Sequence, residues 1–395
     1  MRLLALSPVL PDAPSDGDKL RVFHFLREFA GRGHAITLAA FTDGVESSKL
    51  LSAFVPEIHS IAWPRSRAWL NAGLRYFGAR PSNVSAYASG DMARLVDQLL
   101  EKAAAEGRPY DAVYCYRLRM APYALRAKCR RVLDYTDSLT RYSERRATQA
   151  KGLKQRILRR EAEKIAAYEA WCAEQFDACF LNSSEDTLSL RAMAPKARLV
   201  TAANGADFER LKPLSKPRDP KRMIFIGNLA YAPNVQALLW FYGSVMPLIR
   251  KKVPQAVLQV VGGGAPSALA QLTADPKVEM TGFAEDLNPL LNRAGLAICP
   301  VHLAAGRQNK ILDAFATATP CVATRLAAQG VEAQDGKELL AADDAPGFAA
   351  AVLKLMADPS LSKRIGQAGL KFSKKHYRWD ANARIIEREL MKSPS

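Results

Sequence analysis

Short apolar runs alternate along the chain with longer stretches in which apolar residues recur every three or four positions. The short runs have the length and composition of β-strands, and the longer stretches have the period of amphipathic helices. The predicted strands cover residues 3–6, 35–41, 57–62, 112–115, 131–135, 178–181, 197–201, 222–226, 256–261, 278–281, 295–299 and 320–323. Because strands and helices alternate, the pattern predicts an α/β fold with parallel sheets built from βαβ units.

The strands fall into two groups, separated by a segment rich in proline and charge. Residues 206–221 hold little that would enter a core, as expected of a linker. The pattern therefore predicts two Rossmann-like, doubly wound domains at 1–205 and 222–372. The charged stretch 373–395 predicts a C-terminal helix able to cross back to the first domain.

A loop of small and polar residues separates a predicted strand from a helix over 308–317. It contains the run Gly306, Arg307, Gln308, Asn309 and Lys310. Free backbone N–H groups and the positive end of the helix dipole favour an anion such as phosphate at this place. Asp313, one to two turns into the helix, would put a carboxylate near the bound group, where it can accept hydroxyl protons.

The loop after the first strand contains further candidates, in the sequence PDAPSDGDKLRVFHFL. Gly17 allows a close backbone approach, and Asp18 is placed to cap the next helix. Lys19 and Arg21 open that helix and bring positive charge to the strand's carboxyl end. The alternative interpretation is an ordinary capped turn.

The sequence VLDYTDS places two aspartates at the end of another strand. Asp134 lies within the strand and is interpreted as structural. Asp137 lies just beyond it, where a carboxylate can accept a proton or orient a substrate hydroxyl. The alternative is that Asp137 only caps the following helix.

Several classes of chemistry lack their signatures. The five histidines are isolated in sequence, and the six cysteines form no CxxC pair, so no metal centre is expected. The cysteines are expected to be reduced, buried thiols. No phosphate-binding GxxxxGK[ST] loop or GxSxG nucleophile motif occurs. The triplet Gly262–Gly264 departs from GxGxxG at Ser267 and predicts a tight turn.

The chain carries a formal charge of +17, which predicts affinity for polyanions. Residues 65–80 would place Trp69, Leu70, Leu74 and Phe77 on one helical face with Arg75 opposite, the pattern of an interfacial helix. A basic run over 151–164 adds to this. Because no apolar run reaches about 18 residues, contact with an anionic membrane would be peripheral. The alternative is a core-packed helix beside a solvated charged face.

Several sequence blocks together resemble the retaining glycosyltransferases of family 4, which have the GT-B fold. They include LDYTDS, IGNLAYAPNVQALLWF at 226–241, VEMTGFAEDL at 278–287, AAGRQNKILDAFA at 304–316 and the closing YRWD. The chain looks most similar to the sugar transferases of exopolysaccharide and exosortase loci. The resemblance implies two domains facing each other across a cleft, the first binding an acceptor and the second a nucleotide-sugar substrate, with no metal or cofactor.

The resemblance also implies roles for individual residues. Gly306 to Lys310 would lie by the donor sugar and diphosphate, and Asp313 would bind ribose hydroxyls. Arg307, where relatives often have an apolar residue, and Lys310 are our own catalytic candidates, because they could balance the charge of the diphosphate. Gly227 and Asn228 would approach the diphosphate, Phe283 would border the base, and Gly17 would face the transferred sugar. The sequence departs from the family's pair of glutamates, since those positions hold Ala305 and Asp313.

The sequence therefore predicts a cytoplasmic enzyme, peripheral on the inner face of a bacterial plasma membrane. It would transfer a sugar with retention to a lipid-linked or polysaccharide acceptor. A nucleotide-sugar epimerase of the same architecture is the alternative enzyme. A basic nucleic-acid-binding protein is suggested by charge alone, although no nucleic-acid module is recognised. A non-catalytic partner subunit is the third alternative, because of Ala305.

Overall fold

The structure is a computed structural model that describes residues 1–12, 17–44, 49–303 and 307–393, without the side chains of Asp18 and Arg65. The chain divides into two compact units. The first comprises Met1–Ala203 with Trp379–Ser395, and the second comprises Asn204–Arg378.

The first unit contains a parallel sheet, with seven strands among the residues described, in the order β3-β2-β1-β4-β5-β6-β7. The strands are β1 Arg2–Ser7, β2 Ala35–Thr42, β3 Glu57–Ala62, β4 Ala112–Tyr116, β5 Arg130–Thr136, β6 Ala178–Leu181 and β7 Leu199–Thr201. The helices are α1 Gly17–Gly31, α2 Lys49–Ser52, α3 Arg65–Leu74, α4 Ser82–Ser85, α5 Gly90–Ala105, α6 Ala121–Ala124, α7 Leu139–Gln149, α8 Gly152–Gln175 and α9 Ser184–Met193.

Both faces of this sheet are covered, which explains why inner strands such as β1, β4 and β6 are nearly continuous apolar runs. Successive side chains of a strand point to opposite faces. Accordingly, Leu4 and Leu6 of β1 belong to one buried cluster, whereas Leu3 and Ala5 belong to another, with Phe25 of α1. The sheet is therefore doubly wound.

The second unit contains a parallel sheet, with six strands among the residues described, in the order β10-β9-β8-β11-β12-β13. The strands are β8 Asp219–Ile226, β9 Val257–Val261, β10 Val278–Gly282, β11 Ala294–Cys299, β12 Cys321–Ala323 and β13 Leu340–Ala341. The helices are α10 Ala232–Trp240, α11 Met246–Lys252, α12 Ala270–Thr273, α13 Asn288–Arg293, α14 Asn309–Ala316, α15 Arg325–Gly330, α16 Ala345–Ala357 and α17 Pro359–His376.

The last helix, α18 Trp379–Leu390, packs within the first unit. The Trp379 ring stacks on His24 with centroids 4.5 Å apart. The Glu389 carboxylate accepts hydrogen bonds from Arg198, one of them 2.6 Å long. The charged stretch predicted as one helix from residue 373 is divided in the structure, because α17 ends at His376 and α18 begins three residues later.

The prediction of two Rossmann-like, doubly wound domains is confirmed, and every predicted strand overlaps an observed one. The sequence pattern misses β13, which is only two residues long. The segment predicted as a linker belongs largely to the second unit. The backbone N–H of Lys212 donates to Asn288 Oδ1 at 2.9 Å, and Arg218 Nη1 donates to the Leu291 carbonyl at 2.7 Å.

Each sheet has one point where the strand order reverses direction. In the first unit it lies between β1 and β4, and in the second between β8 and β11. Connections leave such neighbouring strands on opposite sides, which opens a crevice beyond their carboxyl ends where ligands of α/β sheets bind. The loops that follow these strands are therefore the places to seek a site.

Candidate functional site

In the second unit, two polar loops meet at the reversal between β8 and β11. The first loop begins at Gly227, directly after β8, and the second ends at Gln308, directly before α14. Lys310 connects them, since its ammonium donates to Asn234 Oδ1 at 2.9 Å and to Gln308 Oε1 at 3.2 Å. The structure thus brings the regions of Gly227 and Lys310 together, as the anion-binding prediction requires.

Glycines allow the ends of the β8, β9 and β10 strands to approach one another. The N–H of Gly227 donates to the Val261 carbonyl at 2.9 Å, and that of Gly262 donates to the Gly282 carbonyl at 2.8 Å. A Cβ atom at Gly262 would lie 1.9 Å from the Gly227 carbonyl oxygen. No side chain fits there, so the predicted tight turn at Gly262–Gly264 is also a point of close backbone contact.

Lys310 is the central cation of this loop cluster. Its ammonium lies 5.2 Å from the centroid of the Phe225 ring. Burial lowers the pKa of Lys310, and nearby Cys299 and Asp313 oppose that change. The amine nevertheless stays within a site rich in hydrogen-bond acceptors, which favour its charged form. A partly desolvated ammonium interacts more strongly with an anion than one in water does.

Arg307 lies just before Gln308 and α14, with its guanidinium 4.4 Å from the centroid of the Tyr377 ring. Both side chains are buried. The Tyr377 hydroxyl donates to the Val331 carbonyl at 2.6 Å, which fixes the ring. Arg307 therefore has a packing role in addition to the anion-binding role predicted for it.

The start of α14 supplies backbone donors. Gln308 occupies the N-cap position without a side-chain cap, and Asn309, the first helical residue, accepts a hydrogen bond from Asn204 Nδ2 at 3.0 Å. The observed helix is slightly shorter than the predicted one. Because no side chain caps them, the first N–H groups of α14 can bind an anion.

Asp313 lies one turn further along α14 and is half-buried. Burial raises its pKa to about 7; Lys310 opposes the rise and Asp207 adds to it. No described residue donates a hydrogen bond to its carboxylate. Since a buried carboxylate is stabilised by donors, a ligand with neighbouring hydroxyl groups would complete this environment.

The other predicted donor-binding residues lie around the same rim. Asn228 follows Gly227, and its side-chain oxygen accepts the Ala230 N–H at 2.9 Å. Phe283 follows β10 and is 68% exposed, so its ring is accessible to a ligand at this rim. Gly306 and Ala305 lie outside the described residues. Asn234 and Asp207 were not predicted from the sequence. A polar residue at the start of an apolar helix, as at Asn234, could have indicated a site residue.

In the first unit, Asp137 lies directly after β5, as predicted, one strand away from the reversal between β1 and β4. Its carboxylate is 3.8 Å from the Arg117 guanidinium. Burial raises the pKa of Asp137 to about 6; Arg117 opposes that rise and Asp186 adds to it. A carboxyl group with a pKa near neutral is suited to proton exchange with a substrate.

The backbone is strained at Thr136, which precedes Asp137, and at Arg117, its ion-pair partner. Thr136 has a φ of 68° and Arg117 a φ of 69°, a region that β-branched and bulky residues rarely adopt. Such strain costs about 1–3 kcal/mol per residue and is concentrated at functional sites. The cap of α7 is Ser138, whose hydroxyl accepts the Arg141 N–H, so Asp137 is not the capping residue.

Glu169 of α8, which sequence reasoning missed, holds the segment next to Asp137. Its fully buried carboxylate accepts the Leu139 N–H at 2.8 Å and the Thr140 hydroxyl at 2.6 Å. It also accepts the Thr140 N–H and the Ser138 hydroxyl, each at 3.3 Å. Burial raises the pKa of Glu169 to about 7, while these donors lower it. The sequence signal is a lone glutamate at a buried position of an amphipathic helix.

Replacing Glu169 with alanine is expected to lower the free energy of unfolding by roughly 3 kcal/mol, because it removes the acceptor of several buried donors at once. Glu169→Gln keeps one acceptor oxygen and is expected to lose less. Glu174→Ala, at an exposed position of the same helix, is the matched control. Urea unfolding followed by tryptophan fluorescence measures all three. Equal stability of the alanine variant and its control would contradict this role.

The structure contradicts the prediction for Arg21. Predicted to face a substrate, it is fully buried and pairs with Asp134, with its Nε 2.8 Å from Oδ2. The Tyr114 hydroxyl donates to the same oxygen at 2.6 Å. Arg21 therefore does not present its charge to a ligand at the carboxyl end of β1, and Asp134 has the structural role expected of it. Arg21 points into the core because it shares the inward face of α1 with Phe25.

The described residues cover only some of the other predictions for the loop after β1. Lys19 forms an ion pair with Asp12 at 2.8 Å. Gly17 is the first residue of α1, so Asp18 lies within the helix and not at its N-cap position. The Asp18 side chain and the preceding residues 13–16 lie outside the described part of the chain.

The predicted membrane-contact residues lie on or just after α3. Trp69, Leu70, Leu74 and Phe77 are all exposed, and Arg75 follows the helix as its C-cap. Within the described residues, no helix is both long enough and apolar enough to span a bilayer. No group of three or more His, Cys, Asp or Glu side chains among them is arranged to hold a metal ion.

Comparison with known proteins gives this geometry a context. Residues 220–358, most of the second unit, match the family described as "Glycosyl transferases group 1". A glycogen synthase of Mycobacterium tuberculosis is 24% identical over 236 residues, which are 56% of this chain and 56% of that protein. The chain spans about half the length of the curated relatives it matches.

The fold is that of solved GT-B proteins. The sucrose-phosphate synthase of Thermosynechococcus elongatus superposes with a TM-score of 0.71 at 15% identity, covering 98% of each chain. Alr3699/HepE of Anabaena, solved in complex with UDP, gives 0.66 at 15% identity, covering 99% of each chain. At such identities the likeness establishes the GT-B fold alone, and function must be argued from the residues.

Proposed function

We propose that the protein is a glycosyltransferase that uses a nucleotide-sugar donor. The observation that carries this proposal is the α14 segment at the β8/β11 reversal, where Lys310 and Asp313 lie one turn apart beside Gly227. An ammonium next to uncapped helix N–H groups suits a diphosphate. A carboxylate without a described donor suits the hydroxyls of a ribose or sugar. The match of residues 220–358 to a glycosyltransferase family supports the same assignment.

In the proposed mechanism, the second unit stabilises the departing nucleotide diphosphate. Negative charge grows on the leaving phosphate oxygen as the bond to the sugar breaks. Lys310, Arg307 and the α14 N-terminus would stabilise that charge, in place of a metal ion. The exposed Phe283 ring would border the base, and Gly227 and Asn228 would approach the phosphates.

The first unit is proposed to receive the acceptor through Asp137. With a pKa of about 6, its carboxylate is mostly ionised at neutral pH and can accept a hydrogen bond from the acceptor hydroxyl. In a reaction that passes through a cation-like sugar, the orientation of the acceptor hydroxyl contributes more to the rate than removal of its proton does. We propose transfer with retention to a lipid-linked or polysaccharide acceptor, in synthesis of cell-surface glycans on the cytoplasmic side of a bacterial plasma membrane.

A panel of UDP-, GDP-, ADP- and dTDP-sugars tests donor binding through thermal unfolding. A ligand at 100 times its dissociation constant adds about 2.7 kcal/mol to the free energy of unfolding, so the true donor raises Tm. Free sugars serve as the matched negative controls. If no nucleotide-sugar raises Tm, the assignment of the α14 site is wrong.

Radiolabelled donor then separates the enzyme classes. Transfer of label to membrane-extracted lipid acceptors, with no change of the donor alone, is the expected result. Conversion of the sugar without an acceptor would instead identify an epimerase. Donor binding with neither reaction would identify a non-catalytic subunit.

A further inference from the structure

One surface of the first unit exposes large apolar side chains. On α3 and the turn after it, the exposed fractions are 78% for Trp69, 61% for Leu70, 75% for Leu74 and 80% for Phe77. Isolated apolar residues are common on protein surfaces, but four large ones within nine positions form a patch. Such patches mark interaction sites.

The basic run predicted separately from the sequence adjoins this patch. It forms the start of α8, where the Arg160 guanidinium lies 5.9 Å from the centroid of the Phe77 ring. The Lys164 ammonium lies 5.0 Å from the Tyr76 ring and donates to the Tyr76 carbonyl. Glu161 accepts the N–H of Ser82, which lies two residues beyond the first segment, residues 65–80. Residues 65–80 and 151–164 therefore form a single surface, here named the α3–α8 surface.

The start of α8 adds apolar groups to it, because Leu153 is 73% exposed and Ile157 is 43% exposed. The charge of the α3–α8 surface is strongly positive. Its segments contain ten basic residues and two acidic ones, against a formal charge of +17 for the whole chain. Both acidic residues have partners, since Glu161 accepts the Ser82 N–H and Glu163 lies 3.9 Å from Arg159.

We propose that the α3–α8 surface docks on an anionic lipid bilayer. Exposed tryptophan, leucine and phenylalanine side chains enter the boundary between headgroups and acyl chains, while lysine and arginine side chains contact lipid phosphates. This mixture of apolar and basic groups favours an anionic bilayer over the other possible binding partners. A second copy of the chain would bring two strongly positive surfaces together, and a nucleic acid would leave Leu70, Leu74 and Leu153 in water.

This inference goes beyond the proposed transferase reaction and does not depend on it, because docking is measurable without turnover. It also has a consequence for that reaction. Glu169, which holds the segment next to Asp137, lies on the same helix as Leu153 and Ile157, so the docked helix continues to the acceptor side of the first unit. A lipid-linked acceptor would then be available from the surface to which the protein binds.

Sedimentation with vesicles tests the proposal on the full chain. Phosphatidylcholine vesicles with and without 30% phosphatidylglycerol are compared at about 100 mM salt. Binding to the anionic vesicles is expected to exceed binding to neutral ones at least tenfold, and to weaken as salt rises. Equal binding to both vesicle types, or binding to neither, overturns the proposal.

Variants locate the contact. The double variant Trp69→Ala/Phe77→Ala and the triple variant Lys154→Gln/Arg156→Gln/Arg159→Gln are each expected to reduce anionic-vesicle binding at least tenfold. The matched controls are Leu50→Ala/Leu188→Ala and Arg94→Gln/Lys102→Gln/Arg108→Gln, which change exposed residues of the first unit outside the surface. Their binding is expected to equal that of the wild type, and equal losses in variants and controls would contradict the assignment.

Further measurements check that the variants are folded and distinguish a lipid bilayer from a second copy of the chain or a nucleic acid. Far-UV circular dichroism checks that every variant is folded. Light scattering after gel filtration reports the oligomeric state, and a dimer that the Trp69→Ala/Phe77→Ala change converts to a monomer would overturn the proposal in favour of a second copy. Displacement of bound vesicles by short duplex DNA at equal charge, with retention of DNA binding in that double variant, would also overturn it.

Discussion

Replacing Lys310 with methionine is expected to lower kcat/KM for sugar transfer by roughly 100- to 1,000-fold, the loss typical when one group that stabilises transition-state charge is removed. Methionine is unbranched and favours helices about as well as lysine, so α14 should keep its shape. The ammonium, however, is the group that Asn234 and Gln308 hold at the strand reversal. Its loss should therefore affect turnover far more than folding.

The matched control is Lys354→Met, at an exposed position of α16 in the same unit. Its kcat/KM is expected to equal that of the wild type. Steady-state kinetics and thermal unfolding are measured for both variants. Near-normal turnover of Lys310→Met would contradict the placement of the diphosphate at α14. Arg307 is less suitable for a first test, because its packing on Tyr377 means that truncation also removes a buried contact.

Two aspartates three positions apart are expected to respond oppositely to substitution by asparagine. Asp137→Asn should lower kcat/KM by about 100-fold or more, since it removes a carboxylate that orients or deprotonates the acceptor. Its free energy of unfolding at neutral pH should not fall, and the expected change is a rise of up to about 3 kcal/mol.

The sign follows from the pKa of Asp137. Burial raises it from 3.8 to about 6, so the folded state holds the proton more tightly than the unfolded state does. That contribution to stability is complete at low pH and is lost as pH rises through about 6. Asparagine does not ionise and escapes the loss. The stability difference between variant and wild type should therefore shrink as pH falls from 7 to 5.

Asp134→Asn is expected to lower the free energy of unfolding by about 3–5 kcal/mol, because it leaves the charge of Arg21 buried without its counter-ion. Asp134 and Arg21 are both fully buried. Urea unfolding between pH 5 and 8 and steady-state kinetics at neutral pH compare the two variants. A stable Asp134→Asn, or an Asp137→Asn that is destabilised and active, would contradict the roles assigned to the two residues.

Local pattern was sufficient to predict every described strand of this fold except β13. Strand 178–181 was located to the residue, because an inner strand of a doubly covered sheet is a continuous apolar run, and the edge strand 57–62 was located to the residue although it is only partly buried. The two-residue strand Leu340–Ala341 gives no such signal. The boundary near residue 205 was visible as a change in composition, yet the hydrogen bonds that fasten Lys212 and Arg218 to the second unit were not.

For the candidate site, sequence supplied the chemistry and the tertiary structure supplied the neighbours. The polar run ending in Lys310 and the aspartate after β5 could be selected by residue type and position. Whether a charged residue faces a ligand or the core was not visible. In the sequence, Arg21 and Asp137 look equally able to contact a ligand. In the structure, Arg21 is enclosed by Asp134 and Tyr114, whereas Asp137 lies beyond the end of β5.

What the sequence alone determined was therefore the alternation of elements, the loops that carry polar residues, and the excess of positive charge. These properties depend on residues close together in the chain. The tertiary structure decided the partners: Asn234 for Lys310, Asp207 near Asp313, Glu169 for the start of α7, and α8 for the apolar residues of α3. Each joins segments separated by dozens of residues, and burial and pKa depend on such packing rather than on local sequence.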